Sequence, residues 1–181
     1  HFGYPPLMAR MFSDGGEELA ALLRTVKQAG LTVSVDLARP NPASPAGQAD
    51  WRAIITRALP HVDLFAPSID EILFMLDRAR FDELEATGEL VAHVDGALLK
   101  DVSGQLLEMG AAAVALKLGD RGLYLRTTSD AGRLAETGAC DLSKLDGWLD
   151  AELYGQCFRA NVVGTTGSGD CTVAGLLAGI L

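Results

Sequence analysis

The segment Val163-Gly-Thr-Thr-Gly-Ser-Gly-Asp-Cys-Thr172 holds the residue types best suited to chemistry in this chain. It follows a run that reads as a strand and opens one that reads as a helix, where free backbone N–H groups and the helix dipole favour an anion. Gly167 and Gly169 let the backbone approach a phosphate without a Cβ in the way. Asp170, close to the helix start, is placed to remove a proton from a substrate hydroxyl, while the N–H groups of Gly167, Ser168 and Gly169 stabilise a phosphoryl group in transfer. Other readings of the same residues remain open. The spacing of Gly164 and Gly169 fits a P-loop, but Asp170 stands where that motif needs lysine, and a carboxylate there repels phosphate. A dinucleotide fingerprint lacks its third glycine at Thr172, and its acidic residue would fall about 20 further on, beyond the last residue. The plainest reading is a glycine-rich turn in which Asp170 only stabilises the first helical turn, by about 0.3–1 kcal/mol.

The elements that would carry this loop alternate along the chain. A helix is expected over Glu17 to Ala29, with Asp14 as N-cap and Gly30 past its end. The run Leu31 to Val35 reads as a strand ending at Asp36, and Arg39-Pro-Asn-Pro-Ala-Ser-Pro45 as a surface loop. Helices are expected over Asp50 to Leu59, from Ile69 to Leu76, and from Asp95 to Met109. Strands are expected at Val62 to Ala66, at Ala112 to Leu118, and at Gly122 to Arg126 as the hairpin partner of the preceding strand. A polar segment from Thr127 to Gly155 is expected to hold a short helix around Leu145 to Leu149, and Cys157 to Val163 to form the last strand. Strands and helices alternating in steps of about 25 to 30 residues imply an α/β fold, a mostly parallel sheet with helices on both faces.

Composition agrees with a folded domain of this kind. The chain has 181 residues, 49% hydrophobic and 22% charged, enough to bury a core without staples. A net charge of −9 with no long Lys/Arg run argues against nucleic-acid binding. Three cysteines, Cys140, Cys157 and Cys171, follow no metal or disulfide spacing, which suits a reducing, cytoplasmic location. No apolar run reaches 18 residues, so no membrane partner is expected. His1-Phe-Gly-Tyr-Pro-Pro6 reads as the tail of a strand, and Thr172 to Leu181 as an apolar helix stopping in mid-run; the expectation is a longer protein, cut on both sides.

The run Thr165-Thr-Gly-Ser-Gly-Asp-Cys-Thr-Val-Ala-Gly-Leu-Leu-Ala-Gly179 closely resembles the C-terminal signature of the ribokinase-like (PfkB) carbohydrate kinases, D-T-T-G-A-G-D-x-F-x-A-G-F-L. The resemblance implies a three-layer α/β/α, Rossmann-like fold, with residues 1–181 as the core portion of one kinase domain. Its N-terminal lid and substrate region and its C-terminal tail would then lie outside this sequence. By the same resemblance Asp170 is the catalytic base, and Gly167, Ser168 and Gly169 form the anion hole. Leu116-Lys-Leu-Gly-Asp-Arg-Gly122 is similar to the family's element beside the nucleotide, which makes Lys117, Gly119 and Gly122 nucleotide-site candidates. Val33-Ser-Val-Asp36, Arg39 and Trp51 resemble its D-x-N-x-R…W stretch. Ser68 and Glu71 stand where the family has N-x-x-E, so Glu71 is expected to help place magnesium and Ser68 to face the phosphates. ATP and Mg2+ are the implied cofactors, a sugar-like small molecule the partner, and a homodimer is compatible with the reading.

Departures are equally specific. Ser68 replaces Asn, and Ser68-x-x-Glu71 is also a capping box. Gly164 replaces the aspartate that often helps hold a monovalent cation, which puts potassium activation in question. These two positions favour the rival function, a non-catalytic sugar- or nucleotide-binding regulatory protein on the same fold. Lys117 either reaches a phosphate or snorkels from a strand end. Asp36 either faces the sugar or is solvated, and Gly3-Tyr-Pro-Pro6 either lines the substrate pocket or forms a rigid turn. Cys171 is read as a buried, inert cysteine, and His61 and His93 as ordinary surface or loop residues.

Overall fold

The structure is a computed structural model that describes residues 1–159 and 161–180. Its helices are α1 (Glu17–Gln28), α2 (Pro45–Gln48), α3 (Trp51–Ala58), α4 (Ile69–Leu76), α5 (Arg78–Glu85), α6 (Gly96–Glu108), α7 (Ala131–Ala135) and α8 (Ser168–Ile180). The strands are β1 (Ser34–Val35), β2 (Leu64–Phe65), β3 (Ala113–Lys117), β4 (Leu123–Thr127) and β5 (Glu152–Gly155), and they lie side by side in that order. β1, β2 and β3 run parallel, in register Ser34 to Leu64 to Ala113. β4 returns antiparallel to β3, and β5 antiparallel to β4.

Helices fill the crossovers for local reasons that are visible in their caps. Asp50 accepts the amide of Ala53 ahead of α3, and Asp95 that of Leu98 ahead of α6. At α1 the N-cap is Gly16 in a left-handed conformation rather than Asp14, because Asp14 reaches past it to the amides of Gly16 and Glu18. β3 is buried along its whole length. Alternate side chains of β2 and β3 feed two cores: Phe65, Val114 and Leu116 pack towards α1, α3, α4 and α6, whereas Leu64, Ala113 and Ala115 pack with Leu134 and Val173 of α7 and α8. The result is a three-layer α/β/α arrangement.

The expected strand at Cys157 to Val163 is not one. Ala160 within it lies outside the described residues, as does Leu181 at the end of the expected terminal helix, and the described neighbours of Ala160 have no regular structure. The last strand is β5, inside the segment read as polar. All four of its residues are exposed, so no apolar run announces it; it forms because β4 still has open amides and carbonyls on that edge. The short helix expected around Leu145 is likewise replaced, by α7 and a single 3-10 turn at Leu142–Lys144. Asp130 and Asp141 each accept the amides that open these two turns.

Candidate active site

Parallel strands with crossover helices bring their C-terminal ends to one edge of the sheet, and the candidate residues gather there. Asp36 directly follows β1, Pro67 and Ser68 follow β2, Lys117 ends β3, and the first turn of α8 covers them. Phe2 extends the arrangement by a parallel bridge to Val35, with Asp36 N donating to Phe2 O. Ser68 bridges to Lys117 in the same way, and Lys117 N donates to Pro67 O at 3.0 Å.

Two charged residues at the centre of this edge pair with each other. Lys117 Nζ donates to Asp36 Oδ1 at 2.5 Å, with Lys117 8% and Asp36 1% exposed. Asp36 Oδ1 also accepts the amide of Leu37 at 2.7 Å. Lys117 therefore does not snorkel, and Asp36 is not solvated; neither buried charge is left without a partner. A Cβ built on Gly169 would lie 3.6 Å from Lys117 Nζ, which puts the ammonium directly beneath the glycine loop.

Glu71 is the third residue of α4, and its Oε2 accepts the amide of Ser68 at 2.7 Å, closing the capping box that the sequence spacing suggested. Burial pushes the Glu71 carboxyl up to about 7, against the Ser68 amide and the Lys117 charge, which pull it down. A half-buried carboxylate at this edge suits magnesium, which binds through one or two carboxylates plus substrate phosphates rather than through an all-protein cage. Among the described residues there is no cluster of three or more His, Cys, Asp or Glu side chains that could hold a metal by themselves.

At the start of α8, Gly167 adopts φ 78°, a left-handed turn that glycine enters without strain. Ser168 N is consumed by Thr165 O at 3.1 Å, and Cys171 N by Gly167 O at 2.9 Å. The amides of Gly169 and Asp170 have no acceptor among the described residues. Gly167 N likewise has no acceptor there, so of the three expected donors only Ser168 is spent, and the Asp170 amide is open in addition. The Asp170 carboxylate is exposed, and its Oδ1 accepts the phenol of Tyr4. Neither this contact nor the Lys117–Asp36 pair was foreseen in the sequence. The available signal was a lone charged residue at the end of an otherwise apolar strand, in both Asp36 and Lys117.

Gly119 and Gly122 bound the β3–β4 turn at the same edge. Gly122 has φ 106°, and a Cβ there would meet Gly155 O at 2.0 Å, so β5 closes against bare backbone. Arg121 anchors the turn by donating to the carbonyls of Val91 and Val94. His61, read as an ordinary surface or loop residue, stands at the opposite end of β2, whereas Cys171, expected to be buried, is exposed next to Asp170, because the first turn of α8 faces outward there.

The family model for "pfkB family carbohydrate kinase" matches residues 12–181. No curated protein matches the chain. Among solved structures, ribokinase from Arabidopsis thaliana complexed with ribose and ATP is 20% identical with a TM-score of 0.56, over 89% of this chain and 38% of its own. Aminoimidazole riboside kinase from Salmonella enterica, complexed with aminoimidazole riboside and an ATP analog, is 20% identical with a TM-score of 0.55, over 87% of this chain and 40% of its own. A PfkB protein from Polaromonas is 18% identical with a TM-score of 0.52, over 97% of this chain and 42% of its own. At these identities the likeness is one of fold. The chain spans about two fifths of the length of each of these structures.

Proposed function

Since this chain belongs to the pfkB family of carbohydrate kinases, we propose that the protein transfers the γ-phosphoryl group of ATP to a hydroxyl of a sugar or sugar-like alcohol. The observation that carries the reading is the convergence of Asp170, the open amides of Gly169 and Asp170, and the Lys117 ammonium at one edge of the sheet.

Phosphoryl transfer depends on positioning and on stabilising charge over the transferred oxygens. In the proposed mechanism Asp170 accepts the hydroxyl proton as the substrate oxygen attacks. The Gly167–Gly169 turn lets the phosphoryl group approach the backbone, and its open amides take up the developing charge. Lys117 adds a buried positive charge under the same turn, already balanced by Asp36. Gly119 and Gly122 shape the nucleotide side. Glu71 holds magnesium together with the phosphates, and Ser68 fixes Glu71 through the capping box. When bound, magnesium neutralises phosphate charge and orients the phosphates. The ribose and aminoimidazole riboside seen with two structural neighbours support a ribosyl or similar acceptor. A reducing, cytoplasmic location belongs to the same proposal, supported by three cysteines that are all free. No described helix is long and apolar enough to cross a membrane.

The test is ADP release by the full-length protein with magnesium-ATP and a panel of sugars, polyols and nucleosides, with Asp170→Asn alongside. The expected result is acceptor-dependent release whose kcat falls about 10²–10⁴-fold in Asp170→Asn while ATP binding is kept. Near-full turnover in that variant refutes the base assignment. Tight sugar or nucleotide binding with no turnover at all would establish the non-catalytic rival instead.

A further inference from the structure

Building on the kinase reading, we propose that Tyr4 is a positioning residue for the proton acceptor: its phenol holds Asp170 Oδ1, leaving Oδ2 to take the proton of the acceptor hydroxyl. The two carboxylate oxygens face different ways. Oδ1 accepts from Tyr4 Oη, whereas Oδ2 lies 4.0 Å from the point where a Cβ on Gly167 would sit, on the side of the glycine turn. An exposed carboxylate in the first turn of a helix has free rotors, and a base must be held within a fraction of an ångström to work. No other side chain donates to Asp170 among the described residues.

The backbone of Tyr4 argues the same way. Its φ of 60° and ψ of 47° are left-handed, a region in which only one other described non-glycine residue has positive φ. A bulky residue stays there when its surroundings over-determine it, and such positions cluster at functional sites. Here Tyr4 N donates to Asp36 O at 3.3 Å, and the buried Pro5 and Pro6 follow directly. Glycine would fit this backbone without strain, so carrying a tyrosine here has a backbone cost, and the phenol is the group that makes the contact with Asp170. The hydrogen bond to Asp170, then burial, pushes the Tyr4 phenol up to about 12, so it remains a proton donor at neutral pH. The other charged groups around the pair are Asp36 after β1 and Glu71 in α4, which face the phenol, and Lys117 at the end of β3, which lies under Gly169.

The experiment compares wild type, Tyr4→Phe and Tyr4→Gly in the full-length protein, by steady-state kinetics and by the 13C resonance of the Asp170 carboxyl, assigned with Asp170→Asn. In Tyr4→Phe, kcat should fall about tenfold or more while KM for the acceptor changes less than about threefold. Its Asp170 carboxyl resonance should move from the wild-type position, because the carboxylate has lost a hydrogen-bond donor. Tyr4→Gly, which relieves the left-handed backbone, should lose kcat to the same extent. Wild-type kcat in Tyr4→Phe, or restored kcat in Tyr4→Gly, overturns the positioning role, and an Asp170 carboxyl resonance at the same position in wild type and Tyr4→Phe overturns the contact. A wild type that transfers no phosphoryl group overturns the kinase reading, and with it this role, whatever the variants do.

Discussion

Replacing Glu71 with glutamine should make the protein more stable at neutral pH and less active, and the size of the first effect follows from the site. Burial lifts the Glu71 carboxyl from an ordinary value of 4.5 to about 7. Between those values the folded state binds a proton that the unfolded chain has released, so stability falls as pH rises through that window and levels off above it. At about 1.4 kcal/mol per pH unit, the full cost of ionising Glu71 in the fold approaches about 3 kcal/mol. Glutamine carries no charge, keeps nearly the same shape, and still accepts the Ser68 amide, so the capping box survives. Urea unfolding of both proteins at half-unit steps from pH 5 to pH 8 reads the effect. The advantage of Glu71→Gln should grow by about 2–3 kcal/mol between pH 5 and pH 8. His61 acts in the opposite direction, since burial and then Arg24, Arg133 and Lys27 hold its imidazole below the usual range and its contribution rises with pH. His61 is present in both proteins and cancels in the difference. Turnover dependent on magnesium should fall in the same variant, the trade of stability for activity expected where a site is strained for function. A difference that does not change with pH, or a Glu71→Gln protein less stable at pH 8, would refute the reasoning.

Lys117→Met leaves the Asp36 carboxylate, 1% exposed, without its cation and should destabilise the fold by about 3–5 kcal/mol in urea unfolding. Adding Asp36→Asn should recover part of that loss, and a single variant within about 1 kcal/mol of wild type would show that the pair is not buried in solution. Gly122→Ala forces a Cβ to 2.0 Å from Gly155 O at a φ of 106°, and should cost about 2–4 kcal/mol by opening the β4–β5 edge. An unchanged urea midpoint would place β5 elsewhere.

Much of this molecule was legible from local patterns. The apolar runs after Gly30 and Gly110, the caps Asp50 and Asp95, the β3–β4 hairpin, the Ser68–Glu71 capping box and Asp170 in the first turn of the last helix are all set by interactions among residues close in the chain. Such interactions leave a mark in spacing and residue type. β5 left none, because an exposed edge strand is held by backbone pairing and needs no apolar side chains. The loss of the Ser168 amide to Thr165 was also hidden, since several turn geometries suit the same glycines and only the folded one fixes which N–H groups stay open. The contacts that define the site are long-range: Lys117 meets Asp36 across 81 positions, and Tyr4 meets Asp170 across 166. Parallel crossovers deliver all four residues to the same ends of the strands, so their chemistry is visible in the chain while their partnership exists only once the sheet has closed.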